Sequence, residues 1–235
     1  MKIIILAGGM GSRMKQDIPK CACLINGKPM INYLLETCSL LKSDEIIVVV
    51  GYKKEEVKKV IKTKVTYIEQ YSQLGTADAV KCCREYLGGY KGEILIIPGD
   101  TPLIPLDTLK ELINVHKKEK NKLTILSTYM SNPTGYGRIK KENGEVTKIV
   151  EENETTESEK KINEVNTGIY CINSEELFKN INKIKNENNK KEYYLTDIVE
   201  YIEGKKNTYI VPYNFKLRGI NDYQTLKEIE GILNS

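Results

Sequence analysis

The sequence predicts an α/β fold built on a mixed, mostly parallel sheet flanked by helices. Three observations lead there. Short, nearly continuous β-branched runs recur at residues 2–6, 45–50, 64–68 and 92–97, which is how strands buried on both faces read. Segments of helical period fill the intervals, and strand–helix alternation implies parallel pairing with right-handed crossovers. At 235 residues the chain can bury roughly 70% of its unfolded surface, so one layered core suffices.

The elements follow in order. Residues 29–41 place Met30, Leu34, Leu35 and Cys38 on one helical face, 55–61 is amphipathic, 76–87 carries Ala79, Cys82 and Cys83, and 105–116 carries Leu106, Leu109, Leu112 and Ile113. After a strand at 123–129 the pattern shortens to strands at 137–140, 146–150 and 164–172, joined by Gly and Asn turns. This second half is expected to extend the sheet with mixed strands and to form a lid over its carboxyl edge. A helix at 174–182 is expected to use Ser174 as its cap, and one at 195–203 to use Thr196 or a neighbour. A last strand at 208–212 and a helix at 222–233 close the chain. No internal repeat or linker interrupts it. Residues 153–161, polar and without an apolar anchor, are expected to be disordered.

Composition narrows the functions. Hydrophobic residues at 40% and charged residues at 29% describe an ordinary globular chain. The N-terminal apolar run is too short for a signal peptide and no stretch spans a bilayer, so the expectation is a cytoplasmic protein with no membrane partner. The net charge of +4 is diffuse, with lysines alternating with Glu and Asn and no aromatic interleaving, which argues against nucleic acid as a partner. Six cysteines without C-x-x-C spacing read as small buried hydrophobes. The single histidine, His116, stands beside Lys117 and Lys118 and reads as a solvated helix-end residue. His116 would have to supply every imidazole, which argues against a Ser-His-Asp triad, a Cys-His pair and a histidine-built zinc site.

Chemistry gathers at the first strand–helix turn, Leu6-Ala7-Gly8-Gly9-Met10-Gly11-Ser12-Arg13-Met14, followed by Pro19-Lys20. Glycines let backbone N–H groups approach a polyphosphate while Arg13 and Lys20 supply positive charge. Neither the dinucleotide fingerprint nor the Walker pattern is met, because the third glycine and the Gly-Lys-Ser/Thr ending are missing. Gly99-Asp100 ends an apolar strand, which puts the Asp100 carboxylate at the carboxyl edge of the sheet, where α/β folds bind ligands. A lone carboxylate there suits Mg²⁺. The plainer reading makes Asp100 a helix N-cap.

The turn with its Pro19-Lys20 resembles the signature of nucleotidyltransferases that make nucleotide sugars. Gln70…Leu74-Gly75-Thr76-Ala77, Gly99-Asp100-Thr101-Pro102-Leu103, Pro133-Thr134-Gly135-Tyr136-Gly137-Arg138-Ile139, Ile149-Val150-Glu151-Glu152, Glu164-Val165-Asn166-Thr167-Gly168 and Glu192-Tyr193-Tyr194-Leu195-Thr196-Asp197 are similar, in order and spacing, to the uridylyltransferase domain of bacterial bifunctional N-acetylglucosamine-1-phosphate uridylyltransferases. The resemblance implies a Rossmann-like sheet with a smaller β-rich sugar-binding lid. It implies one nucleotidyltransferase domain over 1–235, with a nucleotide-binding half at 1–130, a sugar-binding half at 131–220 and a C-terminal helix at 221–235.

The resemblance also implies the activity: UTP and N-acetylglucosamine 1-phosphate give UDP-N-acetylglucosamine and pyrophosphate, with Mg²⁺ as cofactor. Arg13, Lys20 and Asp100 would be catalytic, the first two on the pyrophosphate end, and Asp100 with Asn221 would hold the metal. Leu6, Ala7, Gly8, Gly9, Gln70, Gly75, Thr76, Pro98, Gly99 and Asn221 would bind substrate, with Gln70 and Gly75-Thr76 reading the uracil edge, and Gly137, Glu151 and Asn166 would bind the sugar. Plainer readings remain for Asn221 as a helix cap, Asn166 as a bulge residue and Glu151 as a surface carboxylate. Asp78 stands where the family commonly has a histidine, and Pro98 where it often has another residue. The bifunctional proteins continue into hexapeptide repeats with acetyltransferase activity; this sequence shows none, so that activity is not expected of it. The rival readings are a UDP-glucose or dTDP-sugar synthesising enzyme and a non-catalytic nucleotide-sugar sensor.

Overall fold

The computed structural model describes residues 1–11, 14 and 18–234. Arg13 and Ser12 of the first turn lie outside the described residues. A nine-stranded sheet forms the centre. Strands β1 (Lys2–Ala7), β4 (Glu45–Val50), β5 (Thr66–Glu69) and β6 (Glu93–Pro98) are parallel in the spatial order β6-β1-β4-β5. A small antiparallel hairpin, β2 (Leu24–Ile25) and β3 (Lys28–Pro29), stands apart from it. The continuous Ile and Val runs are buried because helices cover both faces. Ile3, Ile5, Val48 and Val50 face a cluster with α1 (Met30–Ser39) and α5 (Leu106–Lys118), while Ile4, Ile47 and Val49 face α3 (Thr76–Lys81) and α4 (Arg84–Leu87). Helix α2 (Lys54–Val60) buries only Val57. The expected helix over 76–87 is thus two pieces, interrupted at Cys82–Cys83.

The second half extends the sheet as expected of a mixed architecture. Strand β10 (Glu164–Asn173) runs antiparallel to β6 and to β7 (Leu123–Tyr129), and β11 (Lys206–Val211) pairs parallel with β7. The hairpin β8 (Arg138–Glu142) and β9 (Glu145–Val150), closed by Asn143 and Gly144 at positive φ, attaches to β10 through Val165 and Arg138. Helix α6 (Ser174–Asn180) is capped by Asn173, whose side chain accepts the N–H groups of Glu175 and Glu176; Ser174 instead donates to Tyr90 O. Residues 195–203 form a 3-10 turn and the short α7 (Ile198–Tyr201), without a side-chain cap. Helix α8 (Tyr223–Leu233) ends the described chain. Among the described residues, no helix is long and apolar enough to cross a membrane.

Two further expectations fail. His116 is not solvated: it is 1% exposed, with Nε2 2.7 Å from Glu93 and Nδ1 2.9 Å from Thr124. Helix α5 packs on the sheet, and from its last turn His116 reaches Glu93 of β6 and Thr124 of β7. Cys171 lies beside this pair, but both imidazole nitrogens are already spent on protein partners, at the amino end of β6. Residues 153–161 are not disordered. Thr156 and Glu159 form a reciprocal capping box, Glu159 accepting the Thr156 N–H at 2.9 Å, and Lys140 donates to the same Glu159 side chain. The T-x-x-E spacing was present in the sequence as a signal for it. Of the cysteines, five are buried and Cys82 is partly exposed, in keeping with hydrophobic packing.

Candidate active site

A cleft of about 440 Å³ opens at the carboxyl ends of β1 and β6, a volume in the ordinary range for small-molecule sites. Parallel strands converge there with their turns, and β10 supplies the opposite wall. Leu6, Ala7, Gly8, Gly9, Lys20, Gln70, Gly75, Thr76, Pro98, Gly99, Asp100, Glu151, Asn166 and Asn221 all line it. Gly137 does not; its carbonyl accepts the Asn166 N–H at 2.9 Å, so it supports the wall from behind. Arg13 lies outside the described residues.

The floor is set by backbone. Gly99 N–H donates to Leu6 O at 2.9 Å and Ile220 N–H to Asp100 O at 2.8 Å. The second bond draws residues 219–221 onto the end of β6 and sets Asn221 beside Asp100. Neither residue caps a helix: α5 begins after Pro105, and the cap of α8 is Asp222, which accepts the Thr225 N–H at 2.8 Å. Both polar side chains are therefore free to face the cleft.

Lys20 joins them. Its ammonium donates to Asn221 Oδ1 at 2.6 Å and forms an ion pair with Asp100 Oδ2. Gly11, at φ +62°, makes this possible: a Cβ there would stand 2.5 Å from Lys20 Cβ, so only glycine lets the turn pass the lysine stem. Two oxygens that touch one ammonium can also touch one small cation. A carboxylate with an amide carbonyl is a hard donor set of the kind that takes Mg²⁺ or Mn²⁺, with phosphate and water oxygens completing the shell. The residues fit a divalent cation. Cys21, beneath this floor, has its thiol pushed up to about 12 by burial, which makes it a packing group and not a nucleophile.

At the other end Gln70 is 5% exposed and held fast. Its Nε2 donates to Gly75 O at 3.1 Å and to Asp78 Oδ2 at 2.8 Å. With both amide protons used, Oε1 remains as an acceptor toward Gly8. Asp78, the departure from the family's histidine, is what orients the amide. Thr76 Oγ1 accepts the Leu195 N–H at 2.9 Å and Ala77 N–H donates to Tyr193 O at 2.9 Å, so the segment from the second half closes the cleft over the head of α3.

The remaining wall carries Glu151, Asn166 and Tyr170. Glu151 is partly buried and accepts the Thr196 hydroxyl at 2.9 Å; burial raises its carboxyl above the usual range, against the smaller opposing effect of that bond. It is no surface carboxylate. Asn166 is a bulge residue as well as a cleft residue. The β10–β7 register shifts between Asn166 and Tyr170, Asn166 Oδ1 accepts the Gly168 N–H at 3.0 Å, and Nδ2 donates to the Tyr170 hydroxyl at 2.7 Å, leaving one amide proton. Burial holds Tyr170 in its phenol form. Tyr170, Thr196, Glu192 and Gln73 line the cleft without having been picked out in the sequence as site residues. Thr196 and Glu192 were within a quoted motif; nothing local marked Tyr170, because its place depends on the bulge.

Several known proteins are similar. The bifunctional protein GlmU of Thermoanaerobacter pseudethanolicus is 46% identical over 234 residues, 98% of this chain and 51% of that protein. That of Clostridium novyi is 44% identical over 234 residues, with the same coverage. The chain thus spans about half the length of these relatives. Among solved structures, a Bacillus anthracis protein described as a glucose-1-phosphate thymidylyltransferase, in complex with sucrose, superposes with a TM-score of 0.79 at 21% identity, over 98% of this chain and 94% of that one. At that identity the likeness speaks to the fold. A family model described as nucleotidyl transferase matches residues 2–216. That match takes in the parallel half, the antiparallel extension and every described wall of the cleft except Asn221, and the chain therefore belongs to the nucleotidyl transferase family.

Proposed function

We propose that the protein transfers the uridylyl group of UTP to N-acetylglucosamine 1-phosphate, giving UDP-N-acetylglucosamine and pyrophosphate. The observation that carries this reading is one cleft holding an oriented amide acceptor at one end, a cation seat at the floor and a buried carboxylate with an amide on the far wall. In sequence order these groups are the motifs of the uridylyltransferase resemblance. Residues 1–130 would bind nucleotide and 131–220 the sugar, with the C-terminal stretch from 221 contributing Asn221.

Gln70 Oε1 is suited to a ring N–H donor, which uracil presents at N3 and cytosine does not. The sugar phosphate is an ionised nucleophile, so the chain has no need of a general base: an oxygen of the sugar phosphate bonds to the α-phosphorus as the α–β bridge breaks, and pyrophosphate leaves with the bond's electrons. The residues position and neutralise. The N–H groups of the glycine turn, with Lys20 and Arg13, would hold the phosphates. Asp100 and Asn221 would hold Mg²⁺, which when bound draws charge from the phosphate oxygens. Glu151 and Asn166 would face the sugar hydroxyls and acetamido group, and an unmatched ring would leave one of them without a partner.

A second reading has support of its own. Uracil and thymine share the N3–H edge, so Gln70 does not separate them, and the thymidylyltransferase-like structure shares the fold. The test is pyrophosphate release across a panel of UTP, dTTP and CTP with N-acetylglucosamine, glucose and galactose 1-phosphates. Highest kcat/KM for UTP with N-acetylglucosamine 1-phosphate supports the proposal; a preference for glucose 1-phosphate with dTTP or UTP replaces it with the second reading.

A further inference from the structure

Lys20 lies where a phosphate-binding lysine is not expected. Its stem comes from the 3-10 turn Lys20–Ala22, and its ammonium sits between the oxygens of Asp100 and Asn221, 80 and 201 residues away in sequence. The Lys20 and Asp100 side chains are 15% and 23% exposed, so the pair is substantially withdrawn from solvent and only partly screened. Gly11 is shaped to admit the stem, so the position is built into the turn.

We infer that Lys20 is a counter-ion exchanged during substrate binding: its ammonium and a divalent cation compete for the oxygens of Asp100 and Asn221, and the triphosphate gives Lys20 the alternative anionic partner that lets the cation in. The inference rests on the nucleotidyltransferase reading of the same cleft. An ammonium and a divalent ion cannot share two oxygens at contact distance without strong repulsion, since like charges a few ångströms apart in a site partly withdrawn from solvent are weakly screened. Gly8, Gly9 and Gly11 line the same cleft as Lys20, so a triphosphate held by their backbone N–H groups would lie within reach of the lysine's four-carbon stem. The exchange makes cation and nucleotide mutually dependent: neither binds well while Lys20 closes the seat. Asp100 thereby has a second task, restraining Lys20 until nucleotide arrives.

Two binding measurements test this without turnover. The first follows Mn²⁺ by the electron paramagnetic resonance signal of the free ion, with no nucleotide present, for the parent and for Lys20→Met and Lys20→Gln. Both variants should bind Mn²⁺ at least about tenfold more tightly; affinities within twofold of the parent would overturn the exchange. Removal of a nearby positive charge alone also favours a cation, so the second measurement is a cycle. UTP affinity is measured in EDTA by equilibrium dialysis for the parent, Asp100→Asn, Lys20→Met and the double variant. Asp100→Asn should tighten metal-free UTP binding several-fold in the parent background, by releasing Lys20, and should have little effect in the Lys20→Met background. An equal gain in both backgrounds would mean that Asp100 merely repels the triphosphate, and the exchange would be refuted. If UTP binds none of the four proteins while Mn²⁺ tightens as described, the nucleotidyltransferase reading falls and the competition at Asp100 and Asn221 stands. If UTP binds and pyrophosphate is released by the parent but neither coupling appears, only the exchange falls.

Discussion

Gly75 is the point at which the second half of the chain closes over the first, and replacing it with alanine tests the geometry of the proposed nucleotide end. Its φ is +122°, a conformation that costs an L-residue about 1–3 kcal/mol. A Cβ there would lie 2.5 Å from Tyr193 O and 2.7 Å from Tyr193 N, against 3.4 Å or more for ordinary contact, and those atoms are backbone, which cannot swing aside. Tyr193 would have to retreat, loosening its N–H bond to Leu74 O at 2.7 Å and the Ala77 N–H bond to its carbonyl at 2.9 Å, each worth about 1 kcal/mol. Together the conformational and contact losses amount to about 3–5 kcal/mol, which for a chain of this length lowers the melting midpoint by roughly 6–20 °C. Because Gly75 O also anchors Gln70 Nε2, metal-loaded UTP should bind more weakly even well below the midpoint. The assay is thermal unfolding of Gly75→Ala beside Gly231→Ala, which meets nothing within 4 Å in the exposed part of α8 and should gain up to about 1 kcal/mol. A Gly75→Ala midpoint within about 2 °C of the parent would refute the close approach of residues 75 and 193.

Three further outcomes are expected. Asp100→Asn keeps the shape of the floor and removes its charge, so kcat at saturating Mg²⁺ should fall about a hundredfold or more; a loss of only a few-fold would sink the cation-seat assignment. In the parent, kcat/KM for N-acetylglucosamine 1-phosphate should exceed that for glucose 1-phosphate by about tenfold to a hundredfold, the effect of one buried group left unpaired. Asn166→Ala should shrink that ratio, and a variant that weakens both sugars alike would show that Asn166 serves only the bulge. Glu151→Gln should change the pH dependence of stability. Burial raises the folded-state carboxyl, so the ionised form costs stability that is absent in acid and sets in as pH rises through the unfolded value toward the folded one. The glutamine variant retains the oxygen that accepts from Thr196 and lacks the charge. Its melting midpoint should match the parent's in acid below the ordinary carboxylate range and exceed it progressively as pH rises through that range; a constant difference throughout would mean that Glu151 ionises in the fold as freely as in water.

What rests on local pattern is readable in the residues alone. Runs such as Ile3-Ile4-Ile5 and Val48-Val49-Val50 can be buried only between two layers, and Gly99-Asp100 after such a run falls at the carboxyl edge of a parallel sheet, so the fold class and the floor of the cleft were legible from residue type and spacing. Cap identity was nearly so, missing at α6 by one residue because Asn173 and Ser174 are both good caps and only one has its oxygen over the first turn. Which elements come to lie against one another depends on the order of strands and is not marked in the residues. His116 looked solvated among lysines, yet a helix laid across β6 and β7 buries one face whatever its neighbours in sequence are. Asn166 and Tyr170 meet because β10 must follow β7 on both sides of a register shift, and a bulge of that kind leaves no periodic mark. Lys20, Asp100 and Asn221 come from three distant segments, and their contact is fixed by the Ile220 N–H bond to Asp100 O and by the room at Gly11. Periodicity reports which face of an element is apolar; it carries no information about which element lies opposite, and the chemistry of this cleft is made between elements.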